Sequence, residues 1–456
     1  MIQKGDKRII RGWVMYDWAN SVYNLVISSS IFPIFYEFKT REVYAEKMNM
    51  EMDAVDRSAV TVDFFGITVS SSVIYSLVLS CSFLIVTFLS PLLSGIADYT
   101  GSKKKFLKFF CYLGSFAAAT LFFFDANHIE LGMLSVLFAS IGYWDSLVFY
   151  NAFLPEIAEP EDQDRVSARG FIMGYLGSML LLIICLLLMK APILPFFDDP
   201  NTEKFEGLPA AYCFVLVGIW WIGFAQFTYR VLPNNVYNKK PEPGFLWRGF
   251  RELKLVFNEF KKTKRLKKFL QSFFFFNTGV QTVMLMATVF ASKAIQWPGD
   301  SGETGLIIAV LLIQILGAVG AQLMSMLAIR LDNIKALMIS VGIWIAICFW
   351  AFFINTPIEF YALASCVGLV MGGVQAVARS TYSKYLPDTT NHASYFSFYD
   401  ATEKIGIVFG TAFFALTEFY FNNIRFSVFS VAFFFIVGFA LLFAIPKKEV
   451  TIEITN

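Results

Sequence analysis

Long apolar stretches recur along the whole chain, separated by shorter polar segments that alternate between basic and basic-poor. A helix rises about 1.5 Å per residue, so crossing hydrocarbon takes roughly 20 apolar residues. By that length the pattern predicts about twelve spans, at residues 12–36, 66–97, 106–124, 130–154, 167–189, 209–232, 268–293, 302–329, 335–354, 358–385, 392–418 and 423–445. The expected fold class is an all-α polytopic membrane protein. An even number of crossings returns both termini to one side. Lys and Arg gather in the N-terminal tail, at 103–105, across 230–268 and at Lys447 and Lys448, and such an excess marks the cytoplasmic side. Among the opposite loops only the first carries several bases, Lys39, Arg41, Lys47 and Arg57, and acids outnumber them there. The expectation is an integral multi-pass protein, by default of the cytoplasmic (inner) membrane, with both termini cytoplasmic.

The largest break in hydrophobicity begins near Pro233. It predicts a six-helix bundle over 1–232, a cytoplasmic linker over 233–266 and a second six-helix bundle over 267–456. Inside the linker, Leu246, Phe250, Leu253, Phe257 and Phe260 recur at helical spacing, with Arg248, Arg251, Lys254, Lys261 and Lys262 elsewhere on the surface. That is the pattern of a helix lying in the headgroup layer, with partner binding as the alternative. A shift of 232 residues places Lys103 on Lys335, Tyr150 on Tyr382, Pro155 on Pro387 and Gly174 on Gly406. It also sets FYNAFLPE at 149–156 against TYSKYLPD at 381–388. Both stretches end a predicted helix on the basic side, so the bundles run parallel, as repeats related by an axis along the membrane normal do.

Composition narrows the chemistry. Charged residues make up 16% of the chain, against roughly 25% in ordinary globular domains, and many of the 52 Phe are expected to face lipid. The net charge of +2 says little by itself, and nucleic acid is not an implied partner. The six cysteines fall in or beside apolar segments without the paired spacing of a metal site or disulfide framework. The two histidines, His128 and His392, sit at predicted helix ends near opposite surfaces, so neither reads as a buried proton relay. With no zinc pattern, phosphate-cradling loop or sizeable soluble domain, an enzyme, a resident cofactor or metal, and an ATP-driven pump are not expected. The first apolar run lacks a small-residue cleavage site and reads as a retained helix rather than a signal peptide.

Polar residues inside the spans are the candidate site. Asp17, Asn20, Ser21, Asn24 and Ser28 share one face of the first helix, and such a face must meet protein or water. Helix–helix hydrogen bonding and cavity lining both satisfy that demand. Asp17 lies only about 9 Å along the helix from Arg11, which also suits an inner gate. Asp145 and Glu403 lie deeper, each about 15 Å from the basic end of its helix. An ionised carboxylate there costs several kcal/mol unless paired or hydrated, so both are candidate proton or cation sites. Gln375, Arg379 and Tyr382 share a stripe on the tenth span, and Asp400, Glu403 and Lys404 cluster on the eleventh. Either these charges form a static neutral network, or Arg379 or Lys404 binds a substrate carboxylate when protonation of Glu403 frees it. Asn277 and Gln281, one turn apart near Thr288, add neutral hydrogen-bonding groups.

The loop GIADYTGSKKK at 95–105, carrying Gly95, Asp98, Gly101, Lys103 and Lys104, resembles the signature loop of the major facilitator superfamily. YDWANS at 16–21, FYNAFLPE at 149–156, RGF at 169–171, GYLG at 174–177, GGVQAVARS at 372–380 and FSFY at 396–399 are similar to the vacuole-effluxer branch of that superfamily. The resemblance spans essentially the whole membrane region. It implies two parallel six-helix bundles and secondary transport of a small solute by alternating access, with the signature loop serving the gate. Fungal vacuolar members of that branch are associated with export of amino acids such as leucine, so amino acids are the implied solute. Protons are the expected coupling partner and membrane lipids the surroundings. The second-half counterpart of the signature loop, RLDNIK at 330–335, departs by lacking glycines. The alternative functions are a lipid translocase or scramblase, which can share fold and groove, and a membrane sensor that binds solute without moving it.

Overall fold

The computed structural model describes residues 4–56, 59–190, 209–234, 245–298 and 302–447. The first helical path is a composite. Helix α1 (Lys7–Val22) begins at Asp6, whose side chain accepts from the Arg8 N–H at 2.8 Å, and runs without interruption into a π-helical turn over Tyr23–Ile31 and then α2 (Phe32–Met48). Pro33 has no N–H to return to the preceding turn, and the π register lies just before it. Gly5 N–H donates to the Ile157 carbonyl at one end of this path, and the Tyr36 hydroxyl to the Ser71 carbonyl at the other. The path therefore crosses the molecule. α2 continues past the predicted end at Tyr36, and a small antiparallel hairpin, β1 (Thr61–Phe64) and β2 (Ile67–Ser70), follows. Its turn residues Phe65 and Gly66 have φ of 49° and 81°, the double positive φ that a two-residue hairpin turn requires.

The remaining helices are α3 (Ser71–Thr100), α4 (Lys103–Thr120), α5 (Glu130–Asn151), the short α6 (Leu154–Ile157), α7 (Gln163–Lys190), α8 (Ala211–Val231), α9 (Phe245–Lys262), α10 (Lys264–Ala294), α11 (Gly302–Leu331), α12 (Asn333–Ala351), α13 (Pro357–Lys384), α14 (His392–Phe421) and α15 (Ile424–Phe443). Among the described residues, 11 helical segments are long and apolar enough to span a membrane. The composite first helix, whose separate pieces are each short, adds the remaining crossing of the predicted set. We call the face that carries residues 4 and 447 the terminal face.

In the first half α1 packs on α7 and α8, α4 on α5 and α8, and α3 on α5. In the second, α10 packs on α14 and α15, α11 on α13, and α12 on α13 and α15. The halves meet through α3 against α14 and α7 against α11 and α13. The α3–α14 and α7–α11 contacts exchange under a twofold axis along the helix bundle, the geometry of parallel repeats. Large apolar side chains such as Phe88, Phe419 and Ile358 are turned outward, as lipid-facing residues are.

Helix α9, between the halves, lies against α3 rather than only beneath it. Gly249 on α9 and Gly95 on α3 meet so closely that a Cβ on Gly249 would lie 2.7–2.9 Å from Ile96. Phe257 and Phe260 of α9 pack on Phe398 of α14, and the Tyr395 hydroxyl donates to Glu259 at 3.2 Å. Arg251, Lys254, Lys261 and Lys262 remain exposed. The side chains of Leu246, Arg248 and Phe250 lie outside the described set.

Candidate functional site

A central cavity of about 190 Å³ lies between the halves. Asp17, Ser21, Asn24, Ser28 and Ser29 line it from the first helical path, so the polar stripe faces the cavity through the π turn. Tyr143, Trp144 and Asn151 line it from α5, and Phe171 and Tyr175 from α7. The second half supplies Asn277, Gln281, Gln314, Gln375, Arg379, Tyr399, Asp400 and Glu403. Neutral amides and aromatic rings thus surround a few charges.

The charges are divided into two groups. Arg379, on α13, points into the first half. Its Nη1 and Nη2 each lie 3.4 Å from Asp17 Oδ2, Nη1 donates to Asn151 Oδ1 at 3.2 Å, Nη2 to the Ser167 carbonyl at 2.8 Å, and Nε to the Ser167 hydroxyl at 3.0 Å. The guanidinium also sits 4.2 Å over the Phe171 ring. Asp17 accepts in addition from the Tyr150 hydroxyl at 2.8 Å. Gly170 leaves room for this knot, since a Cβ there would stand 2.4 Å from Asp17 Oδ2 and 2.8 Å from Arg379 Nη2. The pair is almost wholly buried, and a buried charge is tolerated only when so paired and hydrogen-bonded. It seals the two halves together beneath the cavity.

On α14, Lys404 Nζ lies 2.9 Å from Asp400 Oδ1 and 3.6 Å from Glu403 Oε1. Glu403 also accepts from Gln281 Nε2 of α10 at 3.1 Å. Lys404 reaches the first half through the Trp144 ring, whose centroid is 3.4 Å from Nζ. Asp145, beside Trp144, is buried behind the cavity wall and accepts a short hydrogen bond from the Ser90 hydroxyl of α3.

Below Arg379 the terminal face is locked by further contacts between halves. Asp98 of the signature loop accepts from the backbone N–H groups of Ala393 and Ser394 at 3.2 and 2.7 Å, at the start of α14. An acid there meets both free amides and the positive end of the helix dipole. Glu156 pairs with Lys103 and lies 2.9 Å from His392 Nδ1. The second loop achieves an equivalent join without glycines: Asn333 Nδ2 donates to Asp164 at 2.7 Å, and from the end of α13 Lys384 Nζ donates to Asp164 at 2.5 Å. There Asp332 takes φ 97° and caps α12 with its own side chain, whereas the first loop turns on Gly101 at φ 67°. Among the described residues, the hydrogen bonds joining the halves run from mid-cavity, where the Tyr175 hydroxyl donates to Gln375 at 3.1 Å, to the terminal face.

Of the sequence candidates, Asp17, Asn24, Asn277, Gln281, Gln375, Arg379, Asp400 and Glu403 line one cavity, with Lys404 immediately behind its partners. Asn20 is buried outside the lining, and Thr288 is exposed. Tyr382 is turned away from the lining and donates to the Tyr395 carbonyl at 2.5 Å. Asp98 and Lys103 belong to the lock, Gly95 to the α9 contact and Gly101 to the turn, while Lys104 donates to the Leu232 carbonyl at 2.7 Å. His392 sits at the start of α14 near the terminal face, as expected, but it is buried there beside Glu156 because the other half covers the start of that helix. Glu156, Asp164, Asn333 and Lys384 were not singled out as functional residues. Their signal was faint, polar residues at helix ends that read equally as surface.

The family model described as "Vacuole effluxer Atg22 like" matches residues 5–453. An uncharacterized MFS-type transporter, YxiO, of Bacillus subtilis is 29% identical over 444 residues, covering 96% of this chain and 95% of that protein. Autophagy-related protein 22-1 of Penicillium rubens is 22% identical over 512 residues, covering 89% and 84%. The crystal structure of the human organic anion transporter MFSD10 shares the fold, with a TM-score of 0.69 at 11% identity over 96% of this chain and 100% of that one.

Proposed function

Because the chain belongs to the vacuole effluxer Atg22-like family of major facilitator transporters, we propose that it is a secondary active transporter that carries small zwitterionic solutes, amino acids first among them, by alternating access. The observation that carries this reading is the central cavity, in which carboxylates stand among neutral amides and aromatic rings while a buried ion pair closes the way to the terminal face. An amino acid presents an ammonium that Glu403 can accept and a carboxylate that amide donors such as Asn277 can meet; the Nδ2 of Asn277 is buried without a partner. Residues 1–232 and 267–456 rock about this site, with 233–266 as the tether, and opening the terminal face breaks the Arg379–Asp17 knot.

Protons are the proposed coupling partner, with Asp145 among the acids concerned and Glu403 left to meet the solute ammonium. The Lys and Arg distribution supports both termini in the cytoplasm, with the cytoplasmic membrane as the default location. A second reading, a neutral polyhydroxylated solute, is favoured by the amides and rings themselves, which hydrogen-bond hydroxyls and stack on sugar faces without using charge.

The test is counterflow in proteoliposomes with a labelled panel of amino acids and sugars, with and without a pH gradient, comparing wild type with Glu403→Gln. Saturable amino-acid exchange, weakened at least tenfold in the variant, supports the reading. Exchange of sugars alone transfers it to the second reading. No exchange by verified, inserted protein, or lipid movement without solute, overturns both.

A further inference from the structure

Where α5 of the first half touches α14 of the second, Asp145 on α5 lies within electrostatic reach of a cluster on α14 made of Asp400, Glu403 and Lys404. Lys404 is fixed from both sides, by Asp400 at 2.9 Å and by the face of Trp144 at 3.4 Å. Asp145 is fully buried, and Asp400 nearly so at 6% exposure. Each has one carboxylate oxygen, Oδ2 in both, that is buried without a hydrogen-bond partner. The two lie within electrostatic reach of each other and of Lys404.

With all three acids ionised the group would carry two negative charges in excess. Glu403 has its own relief, facing the cavity with Gln281 at 3.1 Å, where water or a solute ammonium can reach it. Among the described residues Lys404 is the cation that acts on Asp145 and Asp400, and an uncompensated charge at that depth costs several kcal/mol. A metal ion does not suit the place. Hard cations of the calcium and magnesium type take roughly six to eight oxygens, whereas this group offers two orphan oxygens beside an ammonium. A proton needs only one oxygen to bind, and it removes the excess charge.

We propose that Asp145 and Asp400 form a proton-binding site across the interface between the halves, with Lys404 as its fixed countercharge. One carboxylate takes up H⁺ from cavity water, one O–H bond forms, the net charge falls by one, and nothing is oxidised or reduced. The charged and titratable groups that face the site are Lys404 and Glu403 on α14, Tyr399 beside Asp400, and Tyr143 on α5; α3 contributes Ser90 and α10 contributes Gln281. Since the two acids sit on different halves, separating them alters proton affinity, and protonation in turn biases which face is closed. This deepens the transport reading and rests on it for its purpose, but its test uses no solute, so either can fail alone.

The experiment is an infrared pH titration of the purified protein in lipid nanodiscs, paired with spin–spin distances between Val73→Cys and Tyr420→Cys on a cysteine-free background. Wild type is expected to show a protonated-carboxyl C=O band that titrates with pH, together with a pH-dependent shift between two distance populations. Asp145→Asn is expected to lose that band and to hold one population at every pH, whereas Glu403→Gln keeps the band. If Asp145→Asn fails to insert, Asp400→Asn answers the same question by the same two readouts. A titrating band that survives both substitutions, no band in wild type, or distances that follow pH in Asp145→Asn would each overturn the proposal.

Discussion

Arg379 directs its donors to Asp17, Asn151 and Ser167, all on helices of the other half. Removing one partner of a buried ion pair costs about 3–5 kcal/mol, because the remaining charge is left in low dielectric. Asp17→Asn is therefore expected to favour states in which Arg379 is hydrated, and at about 1.4 kcal/mol per factor of ten the shift exceeds 100-fold. Maleimide labelling of Ser394→Cys, a position fully buried at the terminal face, should accelerate accordingly; an unchanged rate would remove the pair from the gate. Gly170→Ala tests the same knot with both charges kept, since its Cβ would intrude 2.4 Å from Asp17 Oδ2. It should accelerate the same labelling. Both Asp17 and Arg379 were conspicuous in the sequence as charges within apolar helices. Their pairing was not, because 362 residues separate them and helical periodicity reports a face, not its partner. The burial of His392 was hidden for a related reason: depth along the bundle is legible from hydropathy, whereas cover by the opposite half is not.

Helices were the most legible level, since length and apolar content nearly determine a span. What periodicity did not foretell was where a helix changes character. The π turn at Tyr23–Ile31 uses ordinary helical residues and is marked only by Pro33 and a run of serines; such turns recur at functional sites, and here one carries Asn24 and Ser28 to the cavity. The hairpin was hidden because its second strand lies inside the apolar stretch read as the second span, 66–97, and its first strand runs up to it. For α9 the apolar spacing was correctly read as amphipathic, but lipid and protein satisfy an apolar face equally, and only the Gly249–Gly95 contact identifies α3 as one of the surfaces it meets. Gly249→Leu should lift α9 off α3, as overpacking costs about 1–3 kcal/mol. Limited proteolysis within α9 is expected to quicken severalfold, while Gly223→Leu, whose Cβ would meet nothing within 4 Å, leaves it unchanged. Equal cleavage in the two variants would mean that the α3 contact does not hold α9 in place.

At the scale of the molecule, the two halves solve one problem twice with different chemistry. The first signature loop joins the halves by placing the Asp98 carboxylate on the amides that open α14. Its second-half counterpart, lacking glycines, holds Asp164 near the start of α7 through Asn333, joined by Lys384 from the end of α13. The sequence repeat was strong enough to orient the halves but too diverged to show that both loops lock. Together with Arg379 these joins lie from the cavity floor to the terminal face, so the conformation seen is one in which that face is shut. Transport by rocking requires all of them to part in every cycle. Ser167, whose hydroxyl donates to the Ala376 carbonyl at 2.8 Å, gives a place to prevent this while both Asp17 and Arg379 are kept. A Ser167→Cys/Ala376→Cys pair in a cysteine-free background, oxidised in proteoliposomes, should abolish counterflow of whatever solute the wild type exchanges, and reductant should restore it. Binding of that solute from the opposite face should survive the cross-link, because the cavity remains intact above it. If oxidised protein still exchanges solute, the path does not pass between the halves, and the twofold arrangement would be scaffold rather than machine.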